Sequence, residues 1–165
     1  MFDFKPKPGT SADERYRQLV DAADALTADE PDGVANMANV ASLMWEFIPD
    51  LNWAGFYRIS EGKRDGEELV LGPFVGRPAC IRIPIGKGVC GACAATGETQ
   101  LVADVHSFPG HIACDALSRS ELVVPVKRAG RVIAVIDLDS PEPDRFTQTD
   151  STGIEALARL LSERI

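Results

Sequence analysis

The chain has 165 residues, the size of a single domain that can bury a core without covalent crosslinks. Its 17 basic and 25 acidic residues give a formal net charge of −8, which would repel a phosphate backbone and argues against nucleic acid as a partner. The sequence has no apolar run of about 18 residues and no signal-peptide pattern in MFDFKPKPGT, so we expect no membrane span and a reducing, cytoplasmic location.

Helical periodicity predicts two helices in the first third of the chain, after a flexible tail at 1–10. Ser11 followed by Glu14 is a capping-box pattern, and it predicts a helix over about 11–27. A second helix is predicted to begin near Asp32 and to end before Pro49. The apolar stripe of this second helix is predicted to comprise Val34, Met37, Val40, Ala41, Met44 and Ile48.

The middle of the chain predicts a sheet with one inserted helix. Aromatic and β-branched residues predict a first strand in LNWAGFYRI, at 51–59. Three further strands are predicted at 68–74, 80–84 and 100–103. A short helix over about 89–96, closed by Gly97, precedes the last of these strands, and a final helix is predicted over about 147–164.

A long segment without regular periodicity, at 104–120, holds Cys114 together with His106 and His111. Pro109 and Gly110 break any helical pattern, so we predict a loop with at most one helical turn, around 112–117. Loops of this length inside compact domains usually carry function.

A hairpin is predicted for 121–127 and 131–139, around Arg128-Ala129-Gly130. A three-residue loop with Gly130 in the left-handed region would pair Lys127 with Arg131 and Glu121 with Asp137. One face of the hairpin is then wholly apolar and must pack against the helices. That face is predicted to carry Leu122, Val124, Val126, Val132, Ala134, Ile136 and Leu138.

The other face of the hairpin gathers Glu121, Asp137 and Asp139 at one end, beside Val123, Ile133 and Val135. Like charges on neighbouring strands cost stability, so this cluster indicates a cation to bind or a proton to hold. A two-residue hairpin loop would instead turn Glu121 towards the apolar face.

Several motifs, in order along the chain, resemble one family. They are NWAGFY at 52–57, LVLGPF at 69–74, CIRIPIGKGVCG at 80–91, DVHSFPGHIACDA at 104–116, SELVVP at 120–125 and DLDS at 137–140. Together they resemble the free methionine-(R)-sulfoxide reductases, which have the GAF-domain fold. The resemblance implies a single α+β domain over 1–165, with helices on one face of a central antiparallel sheet and a loop-covered ligand pocket on the other.

The resemblance also implies a site. Cys114 would be the nucleophile, Cys80 the resolving thiol, and Cys90 a second resolving or relay thiol. The substrate would be bound by Trp53, Glu121, Asp137 and Asp139. No metal and no organic cofactor is implied, and the reductant would be thioredoxin or a similar dithiol. Cys93 lies at a position where no thiol of the family is expected.

The implied chemistry suits these residue types. A Cys114 thiolate would attack the sulfoxide sulfur and become a sulfenic acid as methionine leaves, and a second thiol would then form a disulfide. A protonated carboxyl among Glu121, Asp137 and Asp139 would supply the proton, and the remaining carboxylates would hold the substrate ammonium. Trp53 would contact the methyl group of the sulfoxide.

Other interpretations stay open from the residues alone. Cys90-Gly91-Ala92-Cys93 has the spacing of a thioredoxin-type redox pair, and His106, His111 and Cys114 resemble zinc ligands. The principal alternative is a non-catalytic GAF module that senses a small ligand or redox state. The helix at 32–48 has Trp45 and Phe47 outside its main stripe, which favours a homodimer through this surface.

Overall fold

The computed structural model describes residues 4–61, 66–110 and 116–165. Within these residues the helices are α1 (Ala12–Thr27), α2 (Gly33–Phe47), α3 (Gly88–Thr96) and α4 (Gln148–Leu161). The strands are β1 (Trp53–Glu61), β2 (Glu67–Gly76), β3 (Arg82–Pro84), β4 (Gln100–Val102), β5 (Ser120–Arg128) and β6 (Arg131–Ser140). A 3-10 turn, Val105–Ser107, follows β4. None of the described helices is long and apolar enough to span a membrane.

The strands form one six-stranded sheet in the order β3-β2-β1-β6-β5-β4, and all neighbours are antiparallel. Helices α1, α2 and α4 pack on one face over the main hydrophobic core, whereas α3 packs on the other face over a second, smaller core. The predicted α+β architecture is confirmed. Among the described helices, α3 is the one that packs on the sheet face predicted to hold the pocket.

Helix starts follow the local capping signals. The Ser11 hydroxyl accepts a hydrogen bond from the backbone N–H of Glu14, and the Asp32 carboxylate accepts two, from Val34 and Ala35. Gly97 ends α3 with a φ of 68°, the left-handed conformation that glycine adopts without strain. These local signals explain why the helix boundaries were predictable to within one residue, except at the end of α4, which lies at Leu161 instead of 164.

The predicted stripe of α2 is wrong at its first member. Val34 is 52% exposed, because the first turn of the helix lies at the surface beside the exposed Asp32 cap. Phe47, in contrast, is 3% exposed and belongs to the main core. Trp45 is 38% exposed, as its place outside the stripe suggested.

The predicted hairpin register is also wrong. The loop has two residues, Ala129 (φ 49°) and Gly130 (φ 80°), and it pairs Arg128 with Arg131. Positive φ at both central positions is the pattern of a type I′ turn. A bulge after Val126 then adds one residue to β6, so Glu121 lies opposite Asp139 rather than Asp137.

The turn and the bulge cancel in their effect on side-chain direction. A two-residue loop alone would have sent Glu121 to the apolar face, but the extra residue in β6 restores the original alternation. Only the residues beside the turn lie on a different face from the one predicted. There Ile133 packs against the main core and Val132 against the smaller one, the reverse of their predicted faces.

Candidate functional site

Three polar side chains from three different elements meet on the pocket face of the sheet. Cys90 comes from α3, Glu121 from β5 and Asp137 from β6, and one ligand atom of each lies within 4.8 Å of the others. The Cys90 thiol donates a long hydrogen bond of 3.8 Å to Glu121 Oε1. All three side chains are buried, with exposures of 4%, 6% and 5% respectively. We call this group the buried acid cluster.

The loop before α3 positions Cys90. Gly86 and Gly88 have φ of 82° and 63°, and the N–H of Gly86 donates to the carbonyl of Gly91 at 2.8 Å. A Cβ on Gly91 would lie 2.5 Å from the carbonyl oxygen of Pro84, so only glycine allows this approach. The start of α3 is thereby held close to β3, and Cys90 is turned towards the sheet.

Trp53 lies in the same region of the sheet. It pairs with Asp139 on the neighbouring strand, and Asp139 pairs in turn with Glu121. The indole ring is 2% exposed and stacks between Tyr57 and Phe74, with ring centroids 5.8 Å and 5.2 Å away. Its Nε1 donates to the carbonyl oxygen of Arg77 at 3.2 Å, so the ring orientation is fixed from both sides.

The cluster holds protons more strongly than exposed groups of the same type. Burial raises the pKa of Asp137 to about 7. Burial first, and then the charges of Asp137 and Asp139, raise the pKa of Glu121 well above its usual range. Burial and the same carboxylates also raise the pKa of the Cys90 thiol. At neutral pH the cluster therefore retains protons that it can donate.

Tyr57 lies beside the buried acid cluster and was not among the candidate site residues chosen from the sequence. Burial raises its pKa, and electrostatic interactions with Asp137, Cys90, Asp139 and Glu121 raise it further, so the phenol stays neutral beside the cluster. Every second residue of β1 points to the same face, so the sequence places Tyr57 on the face of Trp53, but it does not show that the carboxylates lie near.

The cysteines differ in burial and in bonding state. Cys80, just before β3, is half-buried and disulfide-bonded, whereas Cys90 and Cys93 are free and buried. Cys93 donates to the carbonyl oxygen of Val123 at 3.7 Å, and burial raises its pKa to about 12. Cys93 therefore resembles a packed core residue. Cys114 and His111 lie outside the described residues, and His106 is exposed in the 3-10 turn.

The structure thus brings together Trp53, Cys90, Glu121 and Asp137, with Asp139 as the strand neighbour of Trp53 and Glu121. Within the part of the chain that is described, the buried acid cluster is also the group of side chains close enough to share a metal ion. The arrangement offers neutral acids, an aromatic wall and acceptors for a small cationic group.

Comparison with known proteins places the fold in a family. The GAF domain family profile matches residues 35–165. The free methionine-R-sulfoxide reductase of Escherichia coli is 44% identical over 150 residues, which cover 91% of this chain and 88% of that protein.

Solved structures give the same match in three dimensions. Free methionine-R-sulfoxide reductase from Neisseria meningitidis, in complex with its substrate, superposes with a TM-score of 0.91 at 43% identity, covering 99% of this chain and 95% of that one. A putative GAF sensor protein from Burkholderia vietnamiensis is 52% identical, with a TM-score of 0.86 and coverage of 94% and 96%.

Proposed function

Because this chain belongs to the free methionine-(R)-sulfoxide reductase family of GAF-domain proteins, we propose that it reduces free L-methionine-(R)-sulfoxide to methionine. The observation that carries the proposal is the buried acid cluster beside Trp53. A small zwitterion with an oxidised sulfur needs acceptors for its ammonium, an apolar wall for its methyl group and a proton donor for its oxygen. The described residues offer all three.

Protonation of the sulfoxide oxygen would come from the carboxyl pair. Asp137 and Glu121 cannot both be charged cheaply in a buried site, so one of them retains a proton near neutral pH. That proton makes the sulfur more electrophilic. Asp139 and the ionised member of the pair would bind the ammonium group, and the Trp53 ring would contact the methyl group.

The thiol chemistry would begin at Cys114. Its thiolate would take the sulfoxide oxygen, which gives a sulfenic acid and methionine, and Cys80 would then displace water to form a disulfide. The disulfide-bonded state of Cys80 is consistent with this resolving role. Cys90 would act as a second resolving or relay thiol, more slowly than Cys80, because burial and the nearby carboxylates keep it protonated.

The wider context of the reaction follows from the same chemistry. An external dithiol of the thioredoxin type would reduce the disulfide, and neither a metal nor an organic cofactor would be needed. We propose a cytoplasmic protein, since the cycle depends on a reducing pool. We also propose a homodimer through α2, where Val34, Ala38 and Trp45 are exposed on one side of the helix.

The test is turnover with matched substrates and variants. The purified protein is incubated with dithiothreitol and either free L-methionine-(R)-sulfoxide, its S epimer or a peptide that contains the R sulfoxide, and methionine release is measured. We expect turnover of the free R form alone, loss of turnover of at least 100-fold in Cys114→Ser, and near-wild-type turnover in the control Cys93→Ser. Turnover of no substrate would contradict the proposal.

The sensor alternative has its own signature. A putative sensor is among the similar structures, so binding of free methionine sulfoxide without turnover in the wild-type protein would favour a ligand-binding GAF module. Isothermal titration calorimetry of Cys114→Ser separates binding from chemistry.

A further inference from the structure

The buried acid cluster combines a thiol with two carboxylates, a donor set that also suits a metal ion. We propose that Cys90, Glu121 and Asp137 bind a divalent cation of the zinc type, and that the bound ion blocks the site against an ammonium-bearing ligand. The ion is an inhibitor in this proposal and takes no part in the reduction.

The geometry is close to what a tetrahedral ion requires. Zinc binds sulfur at about 2.3 Å and carboxylate oxygen at about 2.1 Å, so neighbouring ligand atoms in such a site are about 3.5 Å apart. Cys90 Sγ lies 3.8 Å from Glu121 Oε1, and all three ligand atoms lie within 4.8 Å of one another. Small side-chain rotations would close the remaining gap. The fourth position would stay open to water.

A second, independent observation points to a missing positive partner. Asp137 is 5% exposed, and its Oδ1 is buried with no hydrogen-bond partner among the described residues. Native proteins rarely leave a buried carboxylate oxygen unpaired, because such an atom loses its hydration without compensation. A cation or a ligand N–H at this place would satisfy it.

The choice of ion follows from the ligands. A thiolate prefers zinc or cadmium, whereas magnesium and calcium prefer sites made of oxygen atoms alone. Binding would release the Cys90 proton, and any proton that the two carboxylates share, to the solvent. The three anions that remain would be balanced in part by the doubly charged ion, which offsets the cost of burying them.

Cadmium provides a direct readout, because a thiolate bound to Cd²⁺ gives a charge-transfer band in the ultraviolet. The experiment uses the oxidised protein, in which Cys80 is disulfide-bonded and cannot contribute to the band. Titration with Cd²⁺ is expected to give a saturable band of one ion per chain, and added Zn²⁺ is expected to abolish it. A titration without any band would overturn the proposal.

Variants locate the site. Cys90→Ser should lose the band, and Asp137→Asn should weaken Cd²⁺ binding at least tenfold. Cys93→Ser is the matched control on the same helix, since its thiol contacts Val123 instead of the cluster, and it should keep the band. A band that survives in Cys90→Ser, or disappears in Cys93→Ser, would contradict the proposal. Near-ultraviolet circular dichroism shows whether each variant is folded. If Cys90→Ser does not fold, the weaker Cd²⁺ binding expected of Asp137→Asn still tests the site.

Competition tests the blocking step, which rests on the proposed function. Free L-methionine-(R)-sulfoxide should raise the apparent Kd for Cd²⁺ in proportion to its concentration. A Cd²⁺ site without competition would overturn the blocking step and the proposed place of the substrate ammonium, while the metal site itself would stand. If the wild-type protein shows no turnover in the reductase assay, the proposed function is wrong, but the result of the Cd²⁺ titration still decides whether the metal site exists.

Discussion

Asp137, for which we propose a role in proton transfer, is a side chain whose burial costs stability at neutral pH. Burial raises its pKa to about 7, so the folded protein holds a proton that the unfolded chain releases near pH 4. Between these two values the folded state binds more protons than the unfolded state. The contribution of Asp137 to stability therefore falls as pH rises from about 4 to about 7, and it is most unfavourable above 7.

Asp137→Asn should for this reason stabilise the protein at pH 8. We expect a gain on the order of 1–3 kcal/mol in the free energy of unfolding. The gain shrinks towards pH 4, where Asp137 is protonated in the folded state and about half protonated in the unfolded state. Urea unfolding of both proteins between pH 4 and 8 measures it. Turnover should fall at least 100-fold, because the amide has no acidic proton to donate and no charge to balance an ammonium group.

The exposed Asp144→Asn is the control for the charge change itself, and its effect on stability should stay within about 0.5 kcal/mol across the range. An Asp137→Asn variant that is equally destabilised at pH 4 and pH 8 would indicate a packing effect instead.

At the scale of elements, the contact between α1 and α4 depends on one missing side chain. The ring of Tyr16 lies directly on Gly153, and a Cβ at that position would overlap Tyr16 Cγ and Cδ1. Tyr16 also donates a hydrogen bond of 2.6 Å to the buried Asp150 near the start of α4. The ring is therefore held at both ends, and it cannot move aside without breaking this bond.

Gly153→Ala should destabilise the protein even though alanine favours a helix by about 1 kcal/mol over glycine. We expect a net loss of about 1–3 kcal/mol, because the added methyl group forces the two helices apart. Thermal unfolding at neutral pH measures the change. Thr152→Ala, one residue away and exposed, is the matched control and should be neutral or slightly stabilising. A stabilised Gly153→Ala would mean that the helices separate without cost.

The elements themselves were largely predictable, and particular residues show why. Ser11, Asp32 and Gly97 act within one turn of their own position, so their effect can be seen in the sequence. The bulge after Val126 could not be found in this way. Val132 and Ile133 are both apolar, so either residue suits either face, and tertiary packing alone decides between them.

At the scale of the whole molecule, the exposed side of α2 is the surface that we propose for dimerisation. Val34 and Trp45 are eleven residues apart, close to three helical turns, and they therefore lie on the same side with the exposed Ala38 between them. If this side is the dimer interface, Trp45→Glu should convert the dimer to a monomer, since the charge would be buried without a partner. Light scattering at several protein concentrations measures the mass.

Ile81→Glu is the matched control, because Ile81 is 70% exposed and lies before β3, away from α2. It should leave the mass unchanged. A wild-type protein that is monomeric at high micromolar concentration would contradict the dimer.

For the candidate site, the hairpin pattern predicted that the carboxylates lie together, but not that they are buried beside Cys90. Motif resemblance identified Trp53, Cys90, Glu121 and Asp137, and the structure places them together. Resemblance says nothing of burial, and the raised pKa of Cys90 follows only from the packing of α3 on the sheet. Tyr57 was missed because an aromatic residue in a strand is usually a core residue, and its closeness to the carboxylates is a three-dimensional fact.

The hairpin of β5 and β6 has a consequence for how this chain can change in length. Its two-residue turn and its bulge each reverse the alternation of side chains, and together they leave the carboxylates on the pocket face. Loss or gain of one residue near the turn would place Glu121 on the helix side of the sheet, opposite the face that holds Asp137, and would remove one carboxylate from the buried acid cluster. Insertions and deletions in this hairpin are therefore tolerated only in even numbers, or when a turn and a bulge change together.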